Sequence, residues 1–114
     1  MTSKFPILAA FLLAQAAAAQ TLSGLWTATV TVNDVDVPFR MEFSGDGSNV
    51  KGCFFNGHDN VPSTSGRFEN GALVLDFAQY ATHLRATLRD GVLAGEYAST
   101  RRAYAFKATP FVAR

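Results

Sequence analysis

The chain has 114 residues, room for one domain, and sets ten Lys and Arg against nine Asp and Glu. That balance leaves no basic face for nucleic acid or an anionic membrane. A single cysteine, Cys53, excludes an internal disulfide, a C-x-x-C redox pair and a cysteine-rich zinc site.

The N-terminus reads as a targeting segment. Met1 to Lys4 is a short positive start, Phe5 to Ala14 (FPILAAFLLA) is apolar, and Ala17 to Ala19 fits a small-x-small cleavage site. These features predict a secretory signal peptide over 1–19 and a mature domain over 20–114, exported to the periplasm or secreted. A membrane anchor needs roughly 20 predominantly apolar residues, more than this run supplies without its alanines. No Cys follows the cleavage point for lipid attachment, and no Arg-Arg pair precedes the run for folded-state export. Removing Lys4 leaves nine basic and nine acidic side chains. No membrane association is expected after cleavage. So small a domain buries only about 60–65% of its unfolded surface. Its core must be aromatic-rich, and eight Phe, three Tyr and one Trp remain to build it.

Strand signals fill the rest of the chain, and helix signals are nearly absent. Leu25 to Val32 (LWTATVTV) places Trp26, Ala28, Val30 and Val32 on one face. Asn33-Asp34 turns the chain. Val35 to Phe43 (VDVPFRMEF) alternates without a fault, with Val35, Val37, Phe39, Met41 and Phe43 on the inner face. Pro38 lacks an N–H, which puts its position at a sheet edge or a bulge. After the turn at Ser44 to Asn49, Val50 to Phe55 is the third strand. Asn56 to Asn60 is a loop, and Val61 to Phe68 is the fourth strand. Asn70-Gly71 and Asp90-Gly91 are tight hairpin turns. Between and beyond them lie Ala72 to Phe77, His83 to Leu88, Val92 to Ala98 and Ala103 to Ala108. DGSNVKGCFF, NGALVLDF and DGVLAGEY repeat one plan, a turn glycine followed by an alternating strand that ends in an aromatic.

Eight antiparallel strands with short links predict an all-β, single up-and-down barrel after the signal helix. Closure removes exposed strand edges. A barrel of this size is filled by side chains or holds one small ligand. The alternative is an open curved sheet or a two-layer sandwich. Four small residues expected to face inward, Ala28, Gly52, Ala86 and Gly95, leave volume only if they face one another. In a meander, alternate links share an end. One end gathers the turns at Asp46-Gly47, Asn70-Gly71 and Asp90-Gly91, with Trp26 nearby. The other gathers Asn33-Asp34, Asn56 to Asn60, Ala78 to Thr82 and Ser99 to Arg102. That second end carries His58, Asp59, Tyr80, His83, Arg101 and Arg102, and it is the expected mouth.

Candidate chemistry at the mouth is sparse. His58, Asp59 and His83 offer a metal site or an acid–base pair only if they converge, and no third clear ligand is present, so no metal or cofactor is predicted. Ser63, Thr64 and Ser65 lack the G-x-S-x-G elbow of a nucleophile. Arg101 and Arg102 suit a carboxylate or phosphate, or plain surface ion pairs. Trp26, Phe39, Phe54 and Tyr97 line an interior cavity or fill the core. No catalytic residue is assigned. Cys53 reads as a small half-buried strand residue.

Gly24-Leu25-Trp26 resembles the G-x-W that opens lipocalin- and avidin-like barrels. In lipocalins a basic residue late in the last strand covers that Trp. Here Arg101 and Arg102 fall at the wrong end of the last strand, and Lys107 points outward if Tyr104 and Phe106 point in. A second resemblance spans most of the mature chain. LWTATVTVNDVDVPFRMEF, FFNGHDNVPSTSGRFENGALVLDF, YATHLRATLRDGVLAGEY and YAFKAT are similar to the N-terminal β-barrel domain of exported bacterial thioredoxin-like proteins of the TlpA/ResA type. The resemblance implies a periplasmic accessory module near thiol–disulfide chemistry, with a thioredoxin-like domain as partner. No C-x-x-C is present, so no redox site carries over. A stand-alone module and a piece of a longer protein both stay open.

Three functions follow as expectations. The first is a non-catalytic module for interaction or positioning. The second is a barrel that binds a small apolar ligand, which a cavity of a few hundred Å³ lined by the four aromatics would favour. The third is an enzyme using His58, His83 and Arg102.

Overall fold

The computed structural model describes residues 22–112. The expected signal peptide over 1–19 and the last two positions of the chain lie outside them. The described residues form β1 (Gly24–Val32), β2 (Val35–Asp46), β3 (Asn49–Asn56), β4 (Asp59–Pro62), β5 (Ser65–Glu69), β6 (Ala72–Phe77), β7 (Thr82–Arg89), β8 (Val92–Ala98) and β9 (Ala103–Pro110). A 3-10 turn, Ala78–Tyr80, is the one helical piece among them. No helix of the described residues is long and apolar enough to cross a membrane.

All nine strands belong to one antiparallel sheet, ordered β4-β3-β2-β1-β9-β8-β7-β6-β5, which curls into a half-barrel. Two-residue alternation decides which face turns inward. In β1 Trp26 and Ala28 are buried while Thr27 is exposed. In β2 Met41 and Phe43 are buried between exposed Arg40, Glu42 and Ser44. Leu73, Leu75 and Phe77 of β6, Leu84 and Ala86 of β7, Leu93 of β8, and Phe106 and Ala108 of β9 complete the core.

The tight turns have the backbone that a right-twisted hairpin needs. Both central residues have positive φ at Asn33-Asp34, Asn70-Gly71 and Asp90-Gly91, as a type I′ turn requires. The expected loop over Asn56 to Asn60 is shorter than its sequence suggests. Asn56 pairs with Asp59, leaving Gly57-His58 as a two-residue turn. So only two of the four links at the mouth, the 3-10 turn and 99–102, are longer than a hairpin turn.

The expectation of eight strands differs from the structure in one place. The anticipated fourth strand is broken into β4 and β5 at Ser63-Thr64. There the chain passes from one partner to another. Ser63 donates its N–H to the Gly52 carbonyl at 2.7 Å, and its Oγ accepts from the Gly52 N–H at 3.0 Å. Thr64 instead donates to the Asp76 carbonyl of β6 at 2.7 Å. The Thr64 hydroxyl also accepts from the Ala78 N–H at 2.9 Å and so holds the 3-10 turn. The two outermost strands of the sheet order are therefore consecutive in sequence. Beyond the break, Phe68 N–H donates to the Gly47 carbonyl at 2.7 Å. A Cβ at Gly66 would lie 2.4 Å from the Val50 oxygen, so β5 presses on β3.

The end with the turns at 47–48, 70–71 and 90–91 is packed. The Trp26 indole N–H donates to the Leu22 carbonyl at 2.8 Å, and its ring meets Phe43 edge to face at 5.8 Å. A Cβ at Gly52 would lie 2.5 Å from Leu75 Cδ1 and 3.0 Å from Phe43 Cε1, so large side chains occupy the volume the small residue leaves.

Candidate functional site

Towards the opposite end the interior is not filled. A cavity of about 380 Å³ opens there, inside the usual range for ligand pockets of ≈ 300–1,000 Å³. Val30, Val37, Phe39, Met41 and Phe54 of the first three strands form one wall, and Phe77, Leu84, Tyr97 and Phe106 form the other. The rings contact each other mostly edge to face. Phe54 lies 6.1 Å from Phe39, 5.4 Å from Phe77 and 6.5 Å from Tyr97, and Phe77 lies 6.2 Å from Tyr97. Such contacts, each worth about 0.5–1.5 kcal/mol beyond area burial, brace the walls.

The strand lengths explain why the cavity is open. Pairing of β2 with β3 runs from Asp46↔Asn49 to Arg40↔Phe55. From Val35 to Phe39, β2 is paired with β1 and has no partner in β3. The β1–β2 hairpin therefore stands above its neighbour and leaves a notch. Pro38 and Phe39 border that notch on one side, and Phe55, Asn56 and Gly57 on the other, all of them lining the cavity. Pro38, with no N–H to offer, stands where no β3 residue seeks one. Val37 is 43% exposed although its alternation turns it inward, because the inner face here is the cavity mouth.

Polar groups are few in the cavity. The lining residues with polar side chains are Tyr97, whose hydroxyl pairs with the Thr82 hydroxyl at 2.8 Å, and Asn56. Among the described residues no Asp, Glu, Lys, Arg or His lines it.

The residues expected at the site divide into two groups. Phe39, Phe54 and Tyr97 line the cavity, whereas Trp26 does not. Trp26 is buried at the packed end, where the Leu22 carbonyl satisfies its N–H. His58 is exposed on the turn between β3 and β4, and Tyr80 is 56% exposed in the 3-10 turn. His83 alternates with buried Leu84, so it lies on the outer face of β7, opposite Asp76 and Ala98. Arg101 and Arg102 are exposed in the link before β9, where their backbone N–H groups both reach Ser99 Oγ at 3.3 Å. The Arg102 guanidinium is held above its ordinary pKa by a hydrogen bond to Tyr104. None of these five lines the cavity. Among the described residues no group of three or more His, Cys, Asp and Glu comes together as a metal site.

The remaining lining residues carry weak sequence signals. Val37, Met41, Phe77 and Phe106 read from alternation as ordinary core. Pro38 was the one residue whose chemistry pointed to an unpaired edge. Lys107 is exposed, as its alternation with Tyr104 and Phe106 implied, and Arg40 lies over the Phe111 ring at 4.4 Å. Burial pushes the Cys53 thiol pKa up, and the neighbouring Glu42 carboxylate adds to the rise. Comparison with known proteins gave no matching family, no matching curated protein and no matching solved structure. The likeness to thioredoxin-associated barrels thus rests on the quoted stretches alone.

Proposed function

We propose that this chain is an exported barrel that binds a small apolar molecule in the cavity between β1–β3 and β6–β9. In this reading β4 and β5 count as one bent strand, and the sheet acts as a closed eight-stranded barrel with one packed and one open end. The carrying observation is the cavity of about 380 Å³, walled by aromatic and aliphatic side chains and lying at the end with the looser links. An unliganded core of this composition would ordinarily pack to about 0.74 density. A persistent apolar void loses the contacts a partner would supply.

The accessory role implied by the resemblance draws on no residue of the site. An acid–base mechanism would need His58, His83 or Arg102 at a shared pocket, and none of them lines this one. The cavity therefore favours the ligand-binding reading over both.

The test is a fluorescence titration with N-phenylnaphthylamine, an uncharged dye that brightens in apolar surroundings. Saturable binding is expected. Val37→Trp, which puts a large ring at the mouth on an already exposed residue, should weaken binding by about tenfold or more, a loss of about 1.4 kcal/mol. Its thermal midpoint should stay near wild type. No saturable binding, or binding indifferent to the substitution, removes the proposal.

A further inference from the structure

We infer that the molecule this cavity takes is uncharged and aromatic, about two fused rings in size, with one hydrogen-bonding group directed at Tyr97 or Asn56. This rests on the ligand-binding reading above and adds the ligand's chemical class.

Charge is the first argument. Among the described residues no ionisable side chain other than the Tyr97 phenol lines the cavity. An anion carried inside would lose its hydration and find no cation, at a cost that excludes it. Arg101 and Arg102 do not fill that gap, since both are exposed and neither lines the cavity.

Shape and surface are the second. An apolar cavity of about 150 Å³ suffices for one benzene ring. A cavity of about 380 Å³ therefore suits two rings with a substituent. Six aromatic residues line it, and five of them meet one another at interplanar angles of 51° to 78°. Walls turned at such angles offer both edges and faces to an entering ring, whereas a flexible alkyl chain gains no ring–ring geometry and loses rotamer freedom.

The polar group is the third. Two hydroxyls, Tyr97 and Thr82, meet at 2.8 Å, and either can be the donor. Their mutual bond uses one of two hydroxyl hydrogens, so Tyr97 can either donate to a ligand carbonyl or accept from a ligand hydroxyl. Asn56, at the notch, offers both donor and acceptor from its amide.

Four probes test the class by calorimetric titration of the protein produced from its full reading frame: naphthol, naphthalene, naphthoate and decanol. Naphthol should bind about three- to tenfold tighter than naphthalene, the value of one neutral hydrogen bond. Naphthoate should bind more than about a hundredfold more weakly than naphthol, and decanol should also be weaker than naphthol. Tyr97→Phe or Asn56→Ala, the latter at an exposed residue, should bring naphthol down to the naphthalene level and leave naphthalene unchanged. An advantage of naphthol kept in both variants overturns the hydrogen-bonding group. Naphthoate or decanol equal to naphthol overturns the inferred class while ligand binding stands. If none of the four binds, the cavity is not a ligand site and both readings fall.

Discussion

The meeting of β5 with β3 is tested by Gly66→Ala, because the sign of its effect depends on whether the two strands touch. Gly66 does not use a positive φ. With open space around it, an added methyl would reduce the freedom of the unfolded chain and stabilise the protein by about 0.4–1 kcal/mol. In this structure the new Cβ lies 2.4 Å from the Val50 oxygen and 2.5 Å from Leu75 Cδ2. The leucine end can rotate away, but the Val50 carbonyl belongs to the backbone of β3. Restoring ordinary contact moves β5 outward by about 1 Å and strains the Phe68-to-Gly47 hydrogen bond beside it. Overpacking of this kind costs about 1–3 kcal/mol. For a domain of this size each 1 kcal/mol shifts the midpoint by roughly 4–8 °C. A fall of about 5–20 °C is therefore expected by circular dichroism or calorimetry. A midpoint equal to or above wild type would show that β5 and β3 are apart in solution, and the closed-barrel proposal would go with it.

Ser63→Ala removes the acceptor of the buried Gly52 N–H, so it should cost about 1–3 kcal/mol and speed hydrogen exchange at the Gly52 amide. Unchanged exchange there would mean that Ser63 does not join the bent strand to β3. Cys53 should remain a thiol at neutral pH, since burial and then Glu42 both raise its pKa. Alkylation by iodoacetamide should be slower than for free cysteine and rise only at more alkaline pH, as only the thiolate reacts. Glu42→Gln should bring that rise to lower pH; a reaction as fast as the free amino acid's at pH 7 contradicts the assigned environment.

Much of the fold is legible because strand structure is a local pattern. The alternation in LWTATVTV and VDVPFRMEF gives the buried faces of β1 and β2, and Asn70-Gly71 and Asp90-Gly91 give the β5–β6 and β7–β8 turns directly. The break at Ser63-Thr64 is not legible in the same way. Its residues read as more of a polar strand, and what interrupts it is a change of partner from Gly52 to Asp76. Trp26 shows the same limit for the site. It shares an inner face with Val30, yet Trp26 sits at the packed end and Val30 lines the cavity. Alternation tells in from out and is silent on depth along the barrel.

By itself, then, the sequence determined the all-β class, the inward faces and the chain reversals, since these follow from periodicity and backbone preference within a few residues. Only the tertiary structure decided where the interior is empty. That depends on β2 outrunning β3 by five residues, and on which side chains from seven strands meet at one height. Volume left unfilled is a sum over distant residues, and no local stretch of the chain contains it.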